Sequence, residues 1–231
     1  MTESISISPA LRKLLISYAD KMVADGRSEG WYKGMYEGRR EGGRAGMLKA
    51  KRNTLERQLK RKFGPLPEET RSRVRALASS KEIDRYLDRV LDADSLAAMG
   101  LESAGLVPSS VRRKKMPKRK RKALGWGAEL KENARRESWL KGRKHGHLVG
   151  SYLGFAQGKS QALVRQVTAK FGRRVRKTVI PLSGRWSLRE LDRYLDRVLS
   201  ASSVAEMDFR EPSVPPIYEE VFRSSAITQW R

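Results

Sequence analysis

Glycine occupies every fourth position from Gly26 to Gly46, through Gly30, Gly34, Gly38 and Gly42. A second series runs Gly142, Gly146, Gly150, Gly154, Gly158. Both are bordered by apolar residues at helical spacing: Leu11, Leu14, Leu15, Tyr18 and Met22 before the first, and Leu48, Leu55, Leu59 and Phe63 after it. Glycine in a helix interior costs about 0.8–1 kcal/mol relative to alanine, so six in one helix are a liability of about 5 kcal/mol unless something offsets it. Small residues four apart let another backbone approach closely. A flexible polar spacer and a phosphate-cradling loop are the other readings. A spacing of four lags the helical rotation by about 40° per step, which favours a crossing partner over a parallel zipper. Arg39, Arg40, Glu41 and Arg44 lie within the stripe, so it is not a membrane-spanning one.

The chain repeats a second feature. Ile83-Asp84-Arg85-Tyr86-Leu87-Asp88-Arg89-Val90-Leu91 returns as Leu191-Asp192-Arg193-Tyr194-Leu195-Asp196-Arg197-Val198-Leu199. Ser79 with Glu82, and Ser187 with Glu190, have the spacing of a capping box. The apolar positions fall at i, i+3, i+4, i+7 and i+8, one face of a short helix. The predicted fold is all-α, with two related helical units, each a Gly-striped long helix followed by two or three short helices. The first repeat spans 1–108, with a long helix over about 9–63 and short helices over about 67–78, 80–91 and 94–99. A basic linker covers 109–125, a second repeat 126–210 and a C-terminal tail 211–231. The long helices are expected to pair, and the capped helices to pack on the Phe63 and Phe171 ends. The short helices align at an offset of 108 and the glycine arrays, matched Gly30 to Gly142, at 112. That implies a loss of one turn before Phe171. Pro181 and Gly184 interrupt the stretch before Ser187, where Val179-Ile180 suits an extended segment.

A glycine-striped helix, an amphipathic stripe ending Phe63-Gly64-Pro65-Leu66-Pro67, and a short helix carrying Leu87 and Leu91 before Leu96 together form a pattern. It resembles the small C-terminal domain of unknown function attached to PD-(D/E)XK recombination-promoting nuclease and transposase-like proteins of bacteria. The second copy matches at Gly158, Phe171, Gly172, Leu195, Leu199 and Val204, without the Pro-Leu-Pro. The resemblance implies a bacterial setting and association with a mobile-element nuclease or transposase. It implies no catalytic residue. The one Glu-x-Lys, Glu129-Leu130-Lys131, lacks a preceding Pro-Asp and a strand pair, so the nuclease domain itself is expected to be absent.

Charge points to the partner. Lys and Arg number 50 against 26 Asp and Glu, a formal net charge of +24, most of it after residue 110. Nine cations, Arg112, Arg113, Lys114, Lys115, Lys118, Arg119, Lys120, Arg121 and Lys122, crowd the linker. Blocks of like charge this dense often bind polyanions, with a solvated linker as the other reading, and the expected partner is the DNA or RNA backbone, contacted without sequence preference. Arg173, Arg174, Arg176 and Lys177 are the next densest cluster. The alternative function is a self-associating scaffold, a homo-oligomer built through Gly30, Gly34, Gly38, Gly42, Gly46 and their second-copy counterparts. No cofactor is implied. The chain has no cysteine, and His145 and His147 lack the i, i+4 spacing of a helical metal pair. No run approaches the roughly 20 apolar residues of a membrane span, so the expected location is cytoplasmic with no membrane partner.

Overall fold

The computed structural model describes residues 8–101 and 125–210. These form helices α1 (Pro9–Phe63), α2 (Glu68–Ala76), α3 (Ser80–Asp92), α4 (Trp126–Phe171), α5 (Arg173–Ser183) and α6 (Leu188–Ser200), with single 3-10 turns at Ala97–Met99 and Ala205–Met207. There is no strand among the described residues, and the fold is all-α. Gly64 (φ +83°) and Gly172 (φ +88°) end the long helices, and their amides return to the Lys60 and Thr168 carbonyls. Only glycine enters that left-handed region without strain.

The compact units do not coincide with the two repeats. One takes the described residues up to Glu41 and from α4 up to Leu148; the other begins at Gly42 and at Val149. Each draws on both halves of the chain, because the long helices pair with one another.

In the first unit a side chain on Gly26 would overlap the Lys131 carbonyl, on Gly30 that of Arg135, on Gly34 that of Trp139 and on Gly38 that of Arg143. Contacts advance together by four along both helices, so the helices run parallel. This corrects the expectation of a crossing partner. A seam with a period longer than 3.6 residues makes paired helices wind right-handedly, which keeps the glycines facing the neighbour despite the lag. The relationship is reciprocal: Gly34 meets Trp139 while Gly142 meets Trp31, and Gly38 meets Arg143 while Gly146 meets Met35. Each matched pair is 108 residues apart. Where glycine removes the side chain, Cα–H groups face the opposing carbonyls. Trp139 donates to Glu37 at 3.0 Å, and Lys131–Glu29 (2.6 Å) and Arg143–Glu41 (2.8 Å) flank the seam.

The second unit holds the core. Leu55 and Leu59 of α1, Leu163 and Val167 of α4, and the inner faces of α3 and α6 (Ile83, Leu87, Val90; Leu191, Leu195, Val198) are buried together. Phe63 and Phe171 pack against this cluster. The same offset recurs in the polar contacts. Lys51 pairs with Asp84 and Lys159 with Asp192. Lys62 donates to the Val90 and Leu91 carbonyls, Lys170 to those of Val198 and Leu199. Arg89 donates to the Met99 carbonyl, Arg197 to that of Met207. Here, too, Gly46 meets Ser151 and Gly154 meets Gly43. The register is therefore 108 throughout, and no turn is lost before Phe171. Gly158 stands opposite Ala50 in that register, and Gly30 matches Ser138. Matching glycine to glycine had shifted the arrays by one step.

Two local expectations are also corrected. Val179 and Ile180 are helical, within α5. Pro181 sits near the end of that helix, where its missing N–H removes a single hydrogen bond. The capping box forms only at Ser187, whose hydroxyl accepts from the Glu190 amide while Glu190 accepts from the Ser187 amide. Ser79 makes no such bond. That helix end is tied instead by Lys51, which donates to Ser80 Oγ at 2.9 Å and pairs with Asp84.

Candidate nucleic-acid interface

Several of the cations are committed to structure. Arg57 bonds Asp196 at 2.9 Å and also reaches Asp192. Arg165 holds Asp88 from the other copy's α4. The hydrogen bond to Asp196 raises the Arg57 pKa, and that to Asp88 raises the Arg165 pKa, so both guanidinium groups are fixed in the charged form. Lys170 is shifted the other way, lowered first by burial and then by nearby Lys62. It completes the carbonyl end of α6 and has no freedom to reach a ligand.

The helices that follow Phe63 and Phe171 differ in what they do with charge. In α2, Glu68 and Glu69 occupy the first turn, where carboxylates suit the positive end of a helix. They neutralise the cations behind them: Arg73 meets Glu69 at 2.6 Å, Arg71 meets Glu68 at 3.4 Å, and Arg75 lies between Glu68 and Glu56. At the offset of 108 the second copy puts Arg176 and Lys177 where Glu68 and Glu69 stand.

Helix α5 begins with Arg173 and has no acid in its first turn. Val175 is half-buried and Val179 buried, which turns Arg173, Arg174, Arg176 and Lys177 outward, all four exposed. No ion pair joins them to another described residue. Cations at a helix N-terminus oppose the helix dipole, typically by 0.3–1 kcal/mol each. They form an exposed cationic surface held at a cost to the helix that carries it.

The linker cations Arg112 to Lys122 lie outside the described residues. The glycines Gly30, Gly34, Gly38, Gly142 and Gly146 fall in the first unit, and Gly42, Gly46, Gly150, Gly154 and Gly158 in the second, all ten buried in helix. Sequence reasoning missed Trp186, which is fully buried against Tyr194 (4.5 Å) and Phe209 (5.4 Å) and donates to the Arg210 carbonyl. It braces the turn between α5 and α6. Its signal was present as a tryptophan one residue before the capping serine.

His145 lies 5.8 Å from the Trp31 ring, and Lys131 of the Glu-x-Lys pairs with Glu29. Among the described residues no group of three or more His, Cys, Asp or Glu side chains is placed to hold a metal ion, and no helix is long and apolar enough to cross a membrane. No family model, curated protein or solved structure matches the chain.

Proposed function

We propose that this protein is a non-catalytic module that binds the backbone of DNA or RNA through its phosphates. The observation that carries this reading is the unpaired cationic face of α5, set beside the neutralised face of α2. Neither region presents Asn, Gln and Arg in the arrangement of a base-reading helix, so the contact is to backbone rather than to base edges. The nine linker cations, Arg112 to Lys122, add to the net positive charge of the chain. The resemblance to the domain that accompanies mobile-element nucleases supports a role beside such an enzyme on its nucleic acid.

Fluorescence anisotropy with a labelled random duplex at several salt concentrations tests the proposal. Affinity is expected to fall with a log–log slope of about 0.9 for each phosphate contacted. Replacing Arg173, Arg174, Arg176 and Lys177 with Gln should weaken binding and flatten that slope. A Gln variant of Lys118, Arg119, Lys120, Arg121 and Lys122 should do the same. No binding by the wild type at low salt would overturn the reading.

Self-association is the second reading. Leu11, Leu14, Leu15 and Ile16 of α1 are exposed, between 40% and 67%. Glycine seams already filled by the chain's own helices leave this apolar stretch as the surface for a second copy. Sedimentation that remained monomeric at high concentration would exclude it.

A further inference from the structure

We infer that the outer face of α1 in the first unit is a stacking platform for single-stranded nucleic acid, built from Tyr32 and Tyr36. The inference rests on the nucleic-acid reading and deepens it by naming the strand form and a second contact surface. Of the three aromatics within the first glycine series, Trp31, Tyr32 and Tyr36, Trp31 is packed against His145. Tyr32 and Tyr36 are not: they are 72% and 68% exposed. Neither belongs to the buried core, so the fold does not account for them.

Their spacing is four residues, which puts their Cβ atoms about 6 Å apart on one helical face. Lys33, Arg39 and Arg40 are exposed around them, and no ion pair joins these three cations to another described residue. The acids nearby are otherwise engaged, Glu37 by Trp139 and Glu41 by Arg143. The face therefore combines open π surfaces with a net positive charge, carried by cations that no carboxylate pairs. That is the combination by which proteins hold unpaired bases without reading their sequence. A duplex hides its base faces inside the stack and can use only the cations. The equivalent face of α4 carries Leu140 and Lys144 in place of the two tyrosines, so the platform exists once in the chain.

The test compares a labelled oligo-dT strand with a duplex of the same length, in anisotropy titrations of the full chain. Tyr32→Ala/Tyr36→Ala should lose about tenfold or more in affinity for the single strand and little for the duplex. Tyr32→Phe/Tyr36→Phe keeps the rings and should bind the strand as the wild type does. Thermal melts of both variants should match the wild type, because neither ring supports the core. Strand binding that survives in the Ala variant would overturn the platform while leaving backbone binding intact. Equal losses for strand and duplex would also overturn it. Wild-type protein that binds neither would overturn the nucleic-acid reading as well.

Discussion

Gln58 and Gln166 donate to each other. The amide nitrogen of each lies 2.8 Å from the side-chain oxygen of the other, and the second amide hydrogen of each goes to a backbone carbonyl, Leu195 for Gln58 and Leu87 for Gln166. Both side chains are buried, at 1% and 0% exposure. A polar pair inside an apolar core is tolerable only when its hydrogen bonds are made. This one closes on itself and ties each long helix to the opposite copy's short helix.

Gln58→Leu should therefore cost more than its size suggests. It leaves the Gln166 side-chain oxygen and one of the Gln166 amide hydrogens without a partner, at about 1–3 kcal/mol for each buried group. Gln58→Leu/Gln166→Leu removes both sides together and should cost less than the sum of the two single changes. Urea denaturation of the four proteins measures the coupling. Strict additivity would show that the pair is not energetically linked.

The two glycines Gly46 and Gly43 should respond in opposite ways to alanine. At Gly46 a methyl group overlaps the Ser151 carbonyl, so the backbones must part. At Gly43 the nearest atom is the Gly150 oxygen at 3.7 Å, an ordinary contact. Gly46→Ala should lower the melting temperature, whereas Gly43→Ala should leave it unchanged or raise stability by up to about 1 kcal/mol through helix propensity. Calorimetry of both variants checks this.

Leu87 and Leu195 are buried at matching positions of α3 and α6. Either Leu→Ala change should cost about 2–5 kcal/mol. Chemical denaturation decides it, and a loss near zero at both sites would remove the short helices from the core.

Asp196 and Asp88 hold matching positions but differ in surroundings. Asp196 is buried and takes both Arg57 and Arg61, while Asp88 is half-buried and takes Arg165 alone. Asp88→Ala should cost about 0–1 kcal/mol, in the range of exposed pairs. Asp196→Ala should cost about 1.5–3 kcal/mol, because charge-assisted bonds to a buried carboxylate are lost. Equal effects in denaturation would contradict this assignment.

The helical fold was legible wherever the apolar spacing was regular. Leu55, Leu59 and Phe63, and the stripes of α3 and α6, all lie in or against the core. The glycine register was not legible. Identity of residue type pointed to 112, while the contacts follow backbone position, and Ala50 or Ser138 serves where a glycine was sought. Parallel pairing was hidden because a four-residue period looks incompatible with a straight helix, and helices that wind around each other remove the conflict. The α5 cations stood in the sequence as a cluster. Their freedom was not visible, since it depends on which acids the fold brings near. Ser79 shows the reverse: its motif was complete, and the fold used Lys51 and Ser80 at that helix end instead.

The recurrence of contacts at one offset has a consequence for divergence. Two identical subunits must place the same residue on both sides of their two-fold axis, so any ligand site away from the axis comes twice. A chain that carries both halves covalently is free of that rule. It keeps the reciprocal contacts at the axis, Gln58 with Gln166, and lets the periphery drift. One half retains Glu68 and Glu69 with their paired arginines; the other has Arg176 and Lys177. The molecule is thus pseudo-symmetric in its core and polar in its surface. The exposed cations of α5 therefore have no counterpart on α2, and the two halves present different charge to whatever meets them.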